Sequence, residues 1–173
     1  MNIIYSREPF NFNSGKTLFL AGPTPRSNKV KSWRPEFIAI LYELGFEGNV
    51  CVPEDRGEGV QVSCSYFDQI EWEHFGLNNS DVIVFWVPRN LDSMPAFTTN
   101  IEFGLYITSG RVIYGRPALA PKNKYLDYLY KKETQLEPHD NMYLLVNALP
   151  PKGRSFLVLQ PENPSRLSSF ENI

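Results

Sequence analysis

Asp81-Val-Ile-Val-Phe-Trp-Val-Pro-Arg89, then Asn90-Leu-Asp-Ser-Met-Pro-Ala-Phe97, then Thr98-Thr-Asn-Ile-Glu-Phe-Gly104 is the stretch from which the fold can be read. The unbroken apolar run from Asp81 to Val87 suits a strand buried on both faces of a sheet. A short polar loop follows at its carboxyl end, and then a helix expected over about Thr99–Thr108, ending at Gly110. That placement puts Glu102 in the first turn of the helix, beside the carboxyl edge of the sheet. A helix dipole favours a carboxylate there by roughly 0.3–1 kcal/mol at exposed sites. A positioned, ionised carboxylate is a competent nucleophile.

The same pattern repeats outward from this stretch. Lys16–Ala21 is a short apolar run ending at Gly22-Pro23, a strand followed by a loop. Ser32–Leu44 has Phe37, Ile38, Ile40, Leu41 and Leu44 at helical spacing, with Ser32 as cap and Gly45 as left-handed terminator. Asn49–Pro53 reads as a second strand and Glu54–Gly59 as a charged loop. Tyr66–Leu77 reads as a helix with Phe67, Ile70, His74 and Leu77 on its apolar side, so His74 is expected to pack in the core. Arg111–Tyr114 is a fourth strand. Beyond residue 120, Tyr125–Lys132 and Asn141–Leu149 read as helices, Thr134–Leu136 as a weak fifth strand, and Gln160–Ile173 as a polar surface tail. Residues 1–15 read as an irregular or edge segment. Alternating strands and helices of this length predict βαβ units and a parallel sheet. The expected organisation is one domain over 1–173, with a core at about 16–120 and C-terminal helices and tail at about 121–173.

Composition narrows the partners. Net charge is −2, from 17 basic and 19 acidic residues, which gives no electrostatic case for a nucleic acid polymer or an anionic membrane. No apolar run approaches a membrane span, and the N-terminus has no signal-peptide core. Cys51 and Cys64 are the two cysteines, without metal-ligand spacing, so a reduced cytoplasmic protein without a structural zinc site is expected, and the carboxylate chemistry weighed below needs no metal and no cofactor.

In an open parallel sheet, ligands bind at the carboxyl ends of the strands where strand order reverses. Here that point should lie between the Lys16 and Asp81 strands. The first exits into Gly22, Pro23 and Arg26, the second into Trp86 and Arg89. Gly22 permits close approach of a ligand to backbone. Arg26 and Arg89 are candidates for bidentate bonds to a phosphate or carboxylate, and Phe19, Trp33 and Trp86 for walls against a flat ring. Neither a GxGxxG nor a P-loop pattern is present. Each candidate has a plainer role. Thr99-Asn-Ile-Glu102 is a capping-box pattern, in which Glu102 would bond back to the Thr99 N–H. Glu71 and Glu73 would ordinarily be solvated helix positions.

Leu18–Pro23, Ser32-Trp33-Arg34, Val52-Pro53-Glu54, Glu71-Trp72-Glu73, Phe85–Arg89 and Thr98–Gly104 occur in that order. Together they resemble the nucleoside 2-deoxyribosyltransferase-like family over about residues 16–120. The resemblance implies a flavodoxin-like (Rossmann-like) three-layer α/β fold with a mostly parallel, roughly five-stranded sheet. It implies cleavage of the N-glycosidic bond of (deoxy)nucleosides or nucleotides by a retaining double displacement. Glu102 falls on the family's nucleophile, and Glu73 on an acidic position that in relatives is an Asp contacting the base. Phe19 falls where relatives often have a Tyr that holds the nucleophile, and Ala96 where the classical transferases have an Asp for sugar hydroxyls. Sugar binding would then fall to Asn100 or Arg89. The alternatives are an N-glycohydrolase of nucleotides or NAD-like dinucleotides, and a non-catalytic module that binds a nucleotide ligand. Family members usually form dimers or higher homo-oligomers, for which the tyrosine-rich C-terminal helices are a candidate surface.

Overall fold

The computed structural model describes residues 1–27, 29–56 and 65–149. Among these, five strands form one all-parallel sheet: β1 (Asn2–Tyr5), β2 (Thr17–Ala21), β3 (Asn49–Val52), β4 (Val82–Trp86) and β5 (Val112–Gly115). Their spatial order is β1-β3-β2-β4-β5. Five helices accompany them: α1 (Arg34–Glu43), α2 (Tyr66–Asn79), α3 (Phe97–Tyr106), α4 (Lys124–Thr134) and α5 (Met142–Asn147).

Alternation along the strands builds the layers. Phe19, Ala21, Ile83, Phe85 and Tyr114 face one side and pack with Trp72 and Leu77 of α2, Phe103 of α3, and Leu126 and Tyr130 of α4. Leu18, Leu20, Val50, Val82, Val84 and Ile113 face the other, against Phe37 and Leu41 of α1 and Leu145 and Val146 of α5. The result is the expected three-layer α/β arrangement, with every residue of β2, β3, β4 and β5 buried. Asp81 registers β2 against β4: its carboxylate accepts from the Thr17 N–H at 2.7 Å, and its own N–H donates to the Thr17 carbonyl.

Three sequence expectations need correction. The fifth strand is the N-terminal β1, paired in parallel outside β3, and Thr134 instead ends α4 before Gln135 turns at φ 61°. Four residues at an edge, with only Ile4 fully buried, carry too little alternation to be read as a strand. His74 is exposed, because α2 turns Trp72, Gly76 and Leu77 inward and leaves Phe67 in solvent. Thr99 does not start α3; Ala96 is its N-cap, in the left-handed region at φ 62°, and no side chain caps the helix. Gly45 and Gly110 do end their helices with positive φ. Cys51 is buried, and burial pushes its thiol up to about 12. Cys64, Gly57–Gly59 of the charged loop and the Gln160–Ile173 tail lie outside the described residues. Among the described residues no helix is long and apolar enough to cross a membrane.

The reversal of strand order falls between β2 and β4, where the chain leaves β2 through Gly22. Gly22 has φ +142°, and a Cβ there would stand 2.2 Å from the Trp86 carbonyl oxygen and 2.9 Å from the Trp33 ring. Overlap with backbone cannot be relieved by a side-chain rotation. Gly22→Ala should therefore lose ~2–4 kcal/mol of unfolding free energy in a denaturant titration.

Candidate active site

A cavity of about 280 Å³ opens at the carboxyl ends of β2 and β4, at the small end of ligand pockets. Its floor is Phe19, Ala21 and Gly22 of β2 and its exit. Gln69, Ile70 and Glu73 of α2 form one wall, and Ala96–Thr99 with Glu102 of α3 form the opposite wall. Arg34 and Pro53 close the back, while Arg26 lies at the exposed rim.

Arg34 organises this edge. Its side chain is about 1% exposed, and every nitrogen of the guanidinium has a partner. Nε donates to the Leu20 carbonyl at 3.0 Å and Nη2 to the Gly22 carbonyl at 2.8 Å. Nη1 donates to Thr24 Oγ1 at 3.2 Å and to the Glu54 carboxylate, with which it forms an ion pair. The Trp33 ring lies under the guanidinium, 4.8 Å from its centroid. Two β2 carbonyls and a carboxylate replace the water that a buried cation loses. Burial disfavours the charged Arg34, and Glu54 opposes that loss.

The two carboxylates are placed by two different helices. Glu73 is partly buried on α2, where Gln69, one turn earlier, donates from Nε2 to its Oε1 at 2.6 Å. Glu102 is partly buried in the middle of α3 and has no hydrogen-bond partner among the described residues. It is not the cap that the Thr99–Glu102 pattern suggests, and it sits beyond the first turn, where the dipole would stabilise its charge. Burial first, then repulsion from Glu73, push Glu102 up to about 7, against a smaller pull from Arg34. Burial also raises Glu73, while Gln69, Arg34 and His74 hold it down. Two carboxyl groups whose environments both disfavour charge, one with an amide donor and one without, are chemically distinct partners for acid and base work.

Six sequence candidates meet in the cavity: Phe19, Gly22, Pro23, Arg26, Glu73 and Glu102. Four lie outside its lining. Arg89 is 7% exposed, and its guanidinium is used internally, by Asn123 at 3.0 Å, the Pro95 carbonyl at 2.8 Å and Asn100 at 2.6 Å. It braces the loop between β4 and α3, and it occupies Asn100 as well. Trp33 donates to the Pro23 carbonyl at 3.2 Å and supports the β2 exit from behind. Trp86 packs against Gly115 in the core. Arg34, Glu54 and Gln69 were not singled out as site residues. A signal for Arg34 existed, since it shares the buried stripe of α1 with Phe37 and Leu41, where a cation needs partners. Among the described residues no group of three His, Cys, Asp or Glu side chains is arranged to hold a metal.

A family model described as nucleoside 2-deoxyribosyltransferase like matches residues 15–118, more than half of the 173-residue chain. No curated protein matches the sequence.

Raised carboxylate pKa values make a linked prediction. A carboxyl group whose folded pKa exceeds its unfolded value favours the folded state at low pH, and stability declines as pH rises toward the folded pKa. For Glu102 the decline should run from about 4.5 to about 7. Glu102→Gln should therefore be more stable than the parent at pH 8, by at most about 3 kcal/mol, with the gap closing toward pH 5. Urea titrations at the two pH values check this.

Proposed function

We infer the reaction from one premise: the chain belongs to the nucleoside 2-deoxyribosyltransferase-like family. It acts on the N-glycosidic bond of (deoxy)nucleosides or nucleotides by a retaining double displacement. The observation that supports this most is the pairing of Glu102 and Glu73 across one small cavity, on helices from the two sides of the strand-order reversal. In the first step Glu102 attacks C1′ from its ionised form, which a pKa raised to about 7 leaves as part of the population at neutral pH, through an oxocarbenium-like transition state. A C1′–O ester forms, the C1′–N bond breaks, and its electron pair leaves with the base. Glu73, protonated or through a water, delivers a proton to the departing base nitrogen. In the second step a new base, or water, attacks C1′, the C1′–O ester bond breaks to restore the Glu102 carboxylate, and the nucleophile's proton passes to Glu73. A deoxyribose lacks the electron-withdrawing 2′-hydroxyl, so modest acid assistance suffices.

Phe19 brings no hydroxyl to the nucleophile and Ala96 no carboxylate to the sugar, which supports a substrate bound differently from that of the classical transferases. Arg26 favours a second reading within the same chemistry. It lines the cavity at the rim, its guanidinium lies over the Phe97 ring at 5.6 Å, and among the described residues no acidic side chain pairs with it. A 5′-phosphate would meet that cation, so a nucleotide N-glycohydrolase is the form this observation favours. Arg89, spent inside the fold, no longer argues for a phosphate. We further propose a homo-oligomer: Tyr125 and Tyr128 are 72% and 61% exposed on α4, whereas Tyr130 belongs to the core.

The test is chromatographic separation of products from a deoxynucleoside and from its 5′-monophosphate, each with and without a second free base. Glu102→Gln should abolish turnover and retain ligand binding. A new nucleoside identifies a transferase, and free base with sugar or sugar phosphate identifies a hydrolase. Arg26→Ala should raise KM for the monophosphate roughly 10-fold or more and leave the unphosphorylated nucleoside unaffected.

A further inference from the structure

The N-terminal fourteen residues lie outside the stretch that matches the family. Their strand nevertheless runs parallel to β3 and ends at the same carboxyl edge as the candidate site. At that end Ser6 is 6% exposed and held in place by its N–H, which donates to the Glu54 carbonyl at 3.0 Å. Its hydroxyl donates to Gln69 Oε1. A primary amide has one accepting and one donating end. With the oxygen engaged by Ser6, the nitrogen is turned toward Glu73, where Nε2 meets Oε1 at 2.6 Å. Gln69 and Glu73 both line the cavity.

We propose that Ser6, acting through Gln69, is a positioning residue for Glu73: it orients the amide so that one carboxylate oxygen is held as an acceptor and the other carries the exchangeable proton. Only the destination of that proton rests on the glycosidic reading given above. There it passes from the free Glu73 oxygen to the base nitrogen that receives the C1′–N electron pair. The role is orientation as much as charge. Without the Ser6 hydroxyl the Gln69 amide can rotate and present its oxygen to Glu73, where two acceptors would meet. Among the described residues, the other charged or titratable groups around Glu73 are Arg34 from α1, His74 beside it on α2 and Glu102 from α3, with Tyr66 and Arg26 also lining the cavity. The Ser6 hydroxyl bonds to Gln69 and to none of these groups.

The experiment reads Glu73 directly. Its side-chain carboxyl is titrated by ¹³C NMR in the parent, Ser6→Thr, Ser6→Val and Gln69→Leu, with melting temperatures recorded alongside. Thr and Val differ little in shape, so their comparison isolates the hydroxyl. Loss of a donor to the charged form raises a carboxyl pKa. The Glu73 midpoint should rise by roughly one pH unit in Gln69→Leu and by a smaller step in Ser6→Val, and stay at the parent value in Ser6→Thr. Equal midpoints in the Thr and Val variants would overturn the proposal, as would a shift in Gln69→Leu that Ser6→Val does not share. Nucleoside and nucleotide cleavage by the parent, assayed separately, keeps the two inferences apart. The predicted shifts in a protein that cleaves no glycosidic bond would uphold the positioning role and remove the reaction. Cleavage by the parent without the shifts would do the reverse.

Discussion

A guanidinium sealed from water is the constraint around which this molecule is arranged. Arg34 enters the interior on the apolar stripe of α1, and an unpaired cation there would cost several kcal/mol. The fold meets that demand with groups from three elements: the Leu20 and Gly22 carbonyls at the end of β2, Thr24 in the exit loop, and Glu54 after β3. Each is drawn to one point, and that point is the back of the cavity. The Glu54 carbonyl in turn receives Ser6 from β1. The ends of three adjacent strands are thus tied together by one side chain and its partners.

The same cation acts through space on the chemistry. Arg34 stabilises charge on both Glu73 and Glu102, yet burial outweighs it at each. Glu73 has an amide donor and Glu102 has none, so the two acids are unequal before any substrate arrives. The inequality places the more reluctant charge on Glu102, the candidate nucleophile. A partial positive charge at C1′ of a bound substrate favours the ionised form of Glu102 and opposes that reluctance.

Much of this was legible in the residues. The apolar runs at Thr17–Ala21, Asn49–Val52, Val82–Trp86 and Val112–Gly115 are long enough and dry enough to declare a parallel sheet, and the terminal glycines declare helix ends. The cavity follows from the sheet, because the reversal between β2 and β4 has only one carboxyl edge. What could not be read is which polar groups the interior would claim. Arg89 and Arg26 look equivalent in sequence, both following a strand through a proline-containing turn. Only packing shows that Arg89 is enclosed by Pro95, Asn100 and Asn123, while Arg26 stays at the rim. Thr99–Glu102 has the composition of a capping box, but the helix begins earlier, on Ala96 and Phe97. β1 is nearly silent because an edge strand of four residues has one neighbour and little alternation to display.

Ala96 carries an implication for how this pocket can change. It holds a left-handed backbone at φ 62°, a conformation that costs an alanine roughly 1–2 kcal/mol and that Asp and Asn adopt more readily. The family resemblance implies an Asp at this position in the classical transferases. The main chain therefore already has the shape that an acidic residue would choose, and it faces the cavity beside Glu102. A replacement of Ala96 by Asp or Asn would therefore run downhill in backbone energy, so the alanine is not a choice that the main chain imposes.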